Sequence, residues 1–523
     1  MADSDKPEGA GGKTPWQRLP PVAIVYFIVA NVFQFVRQFI VGVSVLAYSA
    51  STYDIQGSEY FIPALITIFV ATVCSGVISY WFYHYRIRDQ HVEIRDGVLK
   101  RRNMNLPFWR IQNVKIERPF YYRFTQYAVL VLDTAGSAEE EAKIVALSCD
   151  DANALRQQIL SAEQHKNNDE STTPMCTEDS PDAGSHLNET VINRRQLWDL
   201  ILHGLTNNRV WLILGALAPF YDDIGGAFYG WIDAIGLSPE KLFPSDQVAW
   251  WQISLYVVSL MLVVFAVMAS VSVAGSVITY YNYTLSRTAD RYIRRSGLFS
   301  LQEVSMRQSR VQQVAIKQDW LDFLLKRANL FFEQNKTGNQ QEQELHATNK
   351  LLVPSVTYDE AFILAQDALP DNRLDDISYL AISRRFLYRY FALFVLPVSC
   401  GVWAITHLEA NLGVWSYLWS LVTAVGLMSV VYLRWRRWGV AFDSQYCYVR
   451  KGLVGLDKYC FALHKVQQVV ISQSIFMRRR GLANIRFVLA SGDVTVPFLS
   501  HKEALHMANR VLWEVESQRR SWM

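Results

Sequence analysis

The chain has 523 residues, 51% hydrophobic and 19% charged, with 51 Lys and Arg against 48 Asp and Glu. That length accommodates three or four domains, and the composition is more apolar than that of a typical soluble protein. A net charge of +3 does not by itself imply nucleic-acid binding, so the placement of charge matters more than its sum.

Residues 1–18 are polar and Gly-rich, with no apolar region directly behind a basic start, and read as a disordered cytoplasmic tail and not as a signal peptide. Three membrane hairpins are expected, at 19–85, 191–283 and 380–434. In the first, residues 61–83 are free of charge over about the length needed to cross a bilayer. Its other arm, Leu19 to Tyr48, carries Arg37. It reads either as one tilted helix or as an interfacial helix followed by a span starting near Arg37. The second reading is favoured because a cation at the membrane edge can snorkel. In the second hairpin Val210 to Phe220 is paired with the charge-free Gln252 to Tyr281; in the third Phe391 to Thr406 is paired with Val414 to Leu433. The outer connections, Ser49 to Tyr60, Tyr221 to Ala249 and His407 to Gly413, hold one basic residue, Lys241. Arg86, Arg88, Arg194, Arg195, Arg287, Arg384, Arg385, Arg434, Arg436 and Arg437 lie on the other side. The positive-inside rule then places the non-membrane domains and both termini in the cytoplasm.

Three β domains follow the hairpins, at 86–160, 284–370 and 435–523, and they share a register. A turn Gly, a Gln fifteen residues later and a small residue sixteen further on recur as Gly97, Gln112, Ala128; Gly297, Gln312, Ala328; and Gly452, Gln467, Ala483. Loops drift in length and paired strands do not, so this constancy argues for one folded unit used three times. Around each Gln, polar and apolar residues alternate as in a half-buried antiparallel strand (Arg110-Ile-Gln-Asn-Val, Arg310-Val-Gln-Gln-Val, Lys465-Val-Gln-Gln-Val). The paired Gln residues, Gln312-Gln313 and Gln467-Gln468, are expected to line the polar strand face, with a ligand groove as the alternative. The copies differ mainly at 133–143, 334–349 and 490–493, and each ends in a helical stretch, the last opened by Ser500 with Glu503 three residues on. Residues 161–190 are acidic and nearly free of large apolar side chains, as expected of a flexible linker.

The run (Arg/Lys)-(Ile/Val)-Gln-(Asn/Gln)-Val, a short bulky stretch, then Gly481-Leu-Ala-Asn-Ile485 resembles the bacterial pleckstrin-homology (PH)-like domain of the YdbT-type membrane proteins. The third copy matches best. In the first Tyr127 and in the second Arg327 stand for the Gly, so the turn there is expected to use another conformation. The fold class expected is therefore transmembrane α-helical hairpins plus α+β: three repeats, each a hairpin followed by a PH-like antiparallel β-barrel capped by a C-terminal helix. The resemblance also implies an inner-membrane location and a smaller PH-like membrane protein as partner in a hetero-complex.

Catalytic and cofactor signatures are absent from the sequence: no His-Glu-x-x-His, no phosphate-binding Gly-rich loop, no nucleophile elbow. Six cysteines (Cys74, Cys149, Cys176, Cys400, Cys447, Cys460) form no metal-spaced group and read as incidental thiols. No catalytic, metal or cofactor residue is assigned. Small residues recur every fourth position at Ala266, Ser270, Ala274 and at Ser416, Ser420, Ala424, a spacing that lets helices approach closely. Aromatics such as Trp81, Phe82, Tyr83, Tyr281 and Tyr283 mark where spans leave the membrane. The candidate contacts for anionic lipid or a membrane-bound partner are Lys100, Arg101 and Arg102; Arg291, Arg294 and Arg295; and Arg478, Arg479 and Arg480. Clustered cations near an anionic leaflet gain about 1 kcal/mol each. The expected function is non-enzymatic: presentation of three PH-like domains to the phospholipid membrane. The alternative is a component of a transport, export or antimicrobial-resistance complex that handles lipid or amphiphile.

Overall fold

The computed structural model describes residues 16–34, 61–88, 90–97, 101–108, 111–123, 125–134, 142–169, 189–206, 221–234, 236, 250–288, 291–334, 350–408 and 413–518. The chain forms two compact units. One comprises 1–185, 208–279 and 295–304; the other comprises 186–207, 280–294 and 305–523.

In the first unit a four-stranded antiparallel sheet has the order β1 (Gln17–Arg18), β2 (His84–Arg88), β3 (His91–Asp96), β4 (Arg102–Pro107). β1 pairs with β2 through Gln17↔Tyr85 and Arg18↔His84. The first hairpin is thus inserted between two adjacent strands; it does not precede the β domain. An antiparallel pair of helices suits this, because it returns the chain near its departure point. The next strands are β5 (Ile111–Arg118), β6 (Tyr127–Thr134) and β7 (Ala142–Ser148), which pair in sequence order. A helix, Cys149–Asp169, follows. It occupies residues 161–169, which the sequence had assigned to the linker; the rest of that linker, 170–188, lies outside the described residues. The core gathers Val92, Ile94, Ile116, Leu130, Leu132, Ile144 and Leu155 from strands and helix.

The second unit contains β8 (Thr190–Arg194), paired with β9 (Thr284–Thr288). Residues 191–194 are therefore a strand and not the start of a membrane segment. After β10 (Arg291–Ser296) and β11 (Leu301–Arg307), the chain forms β12 (Gln313–Lys317), β13 (Arg327–Glu333) and β14 (Lys350–Thr357). The third repeat supplies β15 (Leu380–Ala381), β16 (Gly439–Phe442), β17 (Tyr446–Lys451) and β18 (Asp457–Ala462), then β19 (Val466–Ser472), β20 (Leu482–Leu489) and β21 (Gly492–Ser500). β15 pairs with β16 through Leu380↔Val440 and Ala381↔Gly439, so the third hairpin is inserted in the same way.

The resemblance implies a partly closed barrel of about seven strands; each repeat supplies seven, and among the described residues its fourth and fifth strands do not pair with each other. β12 pairs with β18 of the following repeat, producing one seven-stranded sheet ordered β14-β13-β12-β18-β17-β16-β15, while β19-β20-β21 form a separate three-stranded sheet. In the first unit the same link joins β5 to the Leu301–Val304 part of β11.

The turn glycines have the expected role: Gly297 has φ +125°, and a Cβ there would overlap the carbonyl oxygen of Ser300. At the later turn, Gly481 (φ 63°) has Gln126 (φ 55°) and Lys326 (φ 53°) as its counterparts, each two residues before the small anchor. All three copies use one left-handed conformation, contrary to the expectation that Tyr127 and Arg327 would force another. Gln and Lys accept there the strain that Gly avoids. The small anchors Ala128, Ala328 and Ala483 are fully buried, each beside a register shift. The bulge opposite is stabilised in two copies by an Asn: Asn329 Oδ1 accepts from Ser355 N at 3.1 Å, and Asn484 Oδ1 from Phe498 N at 3.0 Å. The last helix, His501–Gln518, starts with the expected capping box, Ser500 Oγ accepting from Glu503 N at 3.2 Å and Ser500 N donating to Glu503 at 3.3 Å.

Among the described residues three helices are long and apolar enough to cross a membrane: Ser254–Tyr280, Arg385–Leu408 and Val414–Arg437. Phe61–Phe82 is a further helix of 22 residues without a charge. Of Leu19 to Tyr48 the described part is a helix over Ala23–Gln34, and Arg37 lies outside the described residues, as does Val210 to Phe220. Residues expected as the second outer connection include a helix, Tyr221–Ala234. In the third hairpin Ser420 Oγ donates to the Ser399 carbonyl at 2.9 Å across the helix pair, and Ser416 is buried, so this small-residue stripe packs within the hairpin. Ala266, Ser270 and Ala274 are exposed.

Candidate membrane-proximal site

Two features lie beside the ends of the apolar helices. The first is the connection between the fifth and sixth strand of each repeat. Its bulky residues sit at fixed distances before the small anchor: Phe120, Tyr121 and Tyr122; Trp320, Leu321 and Asp322; Ile475, Phe476 and Met477. The third of each trio is buried and plugs the turn into the domain, while the first points outward, with Phe120 58%, Trp320 54% and Ile475 74% exposed. Phe476 is 79% exposed. Ser474 caps this last turn, its Oγ accepting from Met477 N at 3.3 Å.

Each turn is tied to a helix that follows the first strand of its repeat. Tyr122 Oη donates to the Val22 carbonyl at 3.3 Å, just before Ala23–Gln34. Asp322 accepts from Asn329 Nδ2 at 2.9 Å and from the Thr206 hydroxyl, at the end of helix Leu197–Thr206. Arg385 Nη1 donates to the Arg480 carbonyl at 3.4 Å, at the start of helix Arg385–Leu408. Burial pushes the Asp322 carboxyl up to about 6, against the hydrogen bonds from Thr206 and the Asp319 backbone, which favour the anion. Asn329 extends this network, meeting His203 Nδ1 at 2.9 Å.

The second feature is a basic hollow where the second helix of a hairpin ends. In the first repeat a cavity of about 660 Å³ is lined by Trp81, Phe82, His84, Arg95, Arg101 and the carboxylate of Asp96, with Trp16. The Arg95 guanidinium lies 3.9 Å from the Trp16 ring centre and that of Arg86 4.4 Å. In the third repeat a cavity of about 310 Å³ is lined by Leu433, Arg436, Arg437, Arg450 and Leu456. Arg450 stands two residues before its turn Gly, as Arg95 does, and lies 4.7 Å from the ring of Tyr379. Trp16 and Tyr379 each immediately precede the first strand of their repeat. The cation-on-aromatic pair is thus built from the same two positions in both copies.

Of the sequence-chosen cations, Lys100 lies outside the described residues. Arg101 and Arg102 are exposed, with Arg101 in the larger hollow. Arg478, Arg479 and Arg480 are all exposed beside Ile475 and Phe476. The middle cluster is different in kind: Arg291 is buried, Arg294 half-buried, and Arg295 pairs with Glu303 at 3.1 Å. These strand residues alternate between faces and do not present one cationic surface. Arg195, counted in the sequence as a topology signal, is also buried and structural. The exit aromatics divide as well: Trp81, Phe82 and Tyr281 are exposed. Tyr83 and Tyr283 are buried, their hydroxyls donating to the carbonyls of Lys143 (2.5 Å) and Leu352 (2.9 Å). The sequence missed Trp16, Arg95, Arg450 and Tyr379, whose only signal was a shared offset from the turn Gly or from a very short strand. Among the described residues no group of His, Cys, Asp and Glu is arranged to hold a metal ion. Burial pushes the Cys447 and Cys460 thiols up, which makes them unreactive.

The bacterial PH domain profile matches residues 18–163, 242–350 and 374–514. The chain belongs to the bacterial PH domain family. Each PH match takes in residues of an apolar helix; the first begins within β1, at Arg18, and the third six residues before β15. The chain is 20% identical over 500 residues to the UPF0699 transmembrane protein YdbT of Bacillus subtilis (strain 168), covering 94% of each chain. No solved structure matches.

Proposed function

We propose that this chain is a non-enzymatic bacterial inner-membrane protein whose PH domains face the cytoplasmic leaflet and bind anionic phospholipid headgroups. The observation that carries the reading is the turn Ile475–Arg480. Two exposed apolar side chains stand beside three exposed arginines, and the turn is bonded through Arg480 to the first residue of a membrane helix. An apolar tip with a cationic collar at that height suits insertion among headgroups: the tip enters the interface and the guanidiniums pair with phosphate. The hollows around Arg95 and Arg450 add two concave sites at the other helix ends, where an aromatic face and a fixed guanidinium can receive a phosphate. The loop charge asymmetry supports the orientation.

The test is hydrogen exchange of the full-length protein in nanodiscs. Amides of 474–481 should exchange more slowly in anionic than in zwitterionic lipid, and salt should weaken the difference. The triple variant Arg478→Ala, Arg479→Ala, Arg480→Ala should abolish it. Equal exchange in the two lipids would refute headgroup binding by this turn.

A further inference from the structure

The chain makes the same inter-repeat strand pairing twice, and among the described residues the two halves of a third pairing stand at sheet edges. In the first unit the register is Leu301↔Arg118, Gln302↔Glu117, Glu303↔Ile116 and Val304↔Lys115. In the second it is Gln313↔Phe461, Val314↔Cys460, Ala315↔Tyr459 and Ile316↔Lys458. Counted from the turn Gly of one repeat and the anchor Gln of the preceding one, the two offsets total ten for every pair in both junctions. Val304 and Tyr459 stand seven residues after Gly297 and Gly452, and Lys115 and Ala315 three after Gln112 and Gln312. An identical register in segments of different sequence shows that the pairing is a property of the repeat.

Among the described residues β4, the counterpart of β11 and β18, lies at the edge of its sheet, and β19, the counterpart of β5 and β12, lies at the edge of its own. The side chains register this vacancy. Gln312 and Gln313, at the β12 junction, are 1% and 4% exposed, whereas the equivalent Gln467 and Gln468 are exposed. Likewise β18 is buried along nearly its whole length, and β4 is exposed at Arg102, Asn103 and Asn105. Among the described residues no strand pairs with the outer edge of β4 or of β19, and such an edge is the usual template for strand addition.

We propose that β19 of one copy pairs antiparallel with β4 of a second copy of this chain, so that the protein associates head to tail through the junction it already uses internally. The occupant is a second copy because each chain carries one open edge of each kind, and the two are complementary by the register rule. The rule specifies the contacts: Gln468 opposite Leu106, Val469 opposite Asn105, Val470 opposite Met104, and Ile471 opposite Asn103. Pro107, which lacks an N–H, falls just beyond the first of these, Gln468 opposite Leu106. The interface is heterologous, so it closes into a ring or extends along the membrane according to the rotation per repeat.

The experiment uses two differently tagged full-length copies co-expressed in membranes, Met104→Cys on one and Val470→Cys on the other. Oxidation should give a disulfide-linked species carrying both tags, absent when either cysteine is omitted. Met104→Cys with Ser472→Cys should give none, because diagonal positions lie about 7–8 Å apart, beyond disulfide reach. Differently tagged wild-type copies should co-purify. The proposal is overturned if wild-type copies fail to co-purify and no linked species forms, if linking ignores the register shift, or if a chain carrying both cysteines links only to itself.

Discussion

Arg195 tests whether the arginines flanking the hairpins are interchangeable topology signals. Arg194 and Arg195 are adjacent and count equally in the positive-inside rule, yet Arg194 is exposed and Arg195 buried. Arg195 Nε donates to Asn193 Oδ1 at 2.7 Å, Nη1 to the Ser355 carbonyl at 3.3 Å, and Nη2 to Glu360 Oε2 at 2.9 Å. It thereby joins β8, β14 and the capping box at the start of helix Tyr358–Ala368, in which Thr357 Oγ1 accepts from Glu360 N. Burial pushes the Glu360 carboxyl up, but Arg195 and the Thr357 backbone hydrogen bond outweigh it and hold the carboxyl below its ordinary value. Arg195→Met keeps the bulk and removes all three bonds. One charged bond is worth about 1.5–3 kcal/mol and each weaker one about 1 kcal/mol. Glu360 is partly exposed and can rehydrate, so the expected loss is about 3 kcal/mol. Hydrogen exchange across Lys350–Ala368 should then quicken about 100-fold, at about 1.4 kcal/mol per tenfold. Because the folded-state pKa of Glu360 is depressed, its share of the stability is present above its ordinary pKa of 4.5 and is lost as pH falls through the depressed value. The gap between wild type and variant should therefore narrow in acid. If Arg194→Met quickened exchange as much as Arg195→Met, the assignment of Arg195 to the core would be wrong.

Three further outcomes are expected. The Asp322 carboxyl is raised by burial from 3.8 to about 6, so the folded state holds its proton more firmly. Stability should be greatest below about pH 4 and decline by up to ~3 kcal/mol as pH rises toward 6, and Asp322→Asn should flatten the melting profile over that range; parallel profiles would contradict this. At the shared left-handed position Gly481→Ala should cost ~1 kcal/mol although its Cβ meets nothing, while Lys326→Gly should be neutral or stabilising. A melting shift of the opposite sign at both sites would refute the shared conformation. A fragment of residues 439–523 retains β16–β18 but loses β12 alongside β18. It should aggregate or melt without cooperativity, and a monomeric, cooperatively melting fragment would show that the junction is dispensable.

Much of this protein was legible from local pattern. The three-fold register followed from Gly97, Gln112, Ala128 and their counterparts, because hairpins and paired strands cannot change length without turning side chains to the wrong face. The apolar helices and the cap at Ser500 were legible because they depend on residues close together in sequence. The cations could be seen, but not their surroundings. Arg478 and Arg291 sit in equally basic stretches, yet one is on an exposed turn and the other is buried in a sheet.

The choice of strand partner belonged to the tertiary structure alone. An alternating segment determines which side chains share a face, but its backbone edge offers the same donors and acceptors to any strand, so β12 could not be assigned to β18 by pattern. The two-residue strands Gln17–Arg18 and Leu380–Ala381 are too short to carry a period, and with them went the insertion of the hairpins into the PH domains. Gln312 and Gln467 show the division most simply. Sequence makes them equivalent, yet the pairing of β12 with β18 buries one, and β19, at its sheet edge among the described residues, leaves the other in solvent.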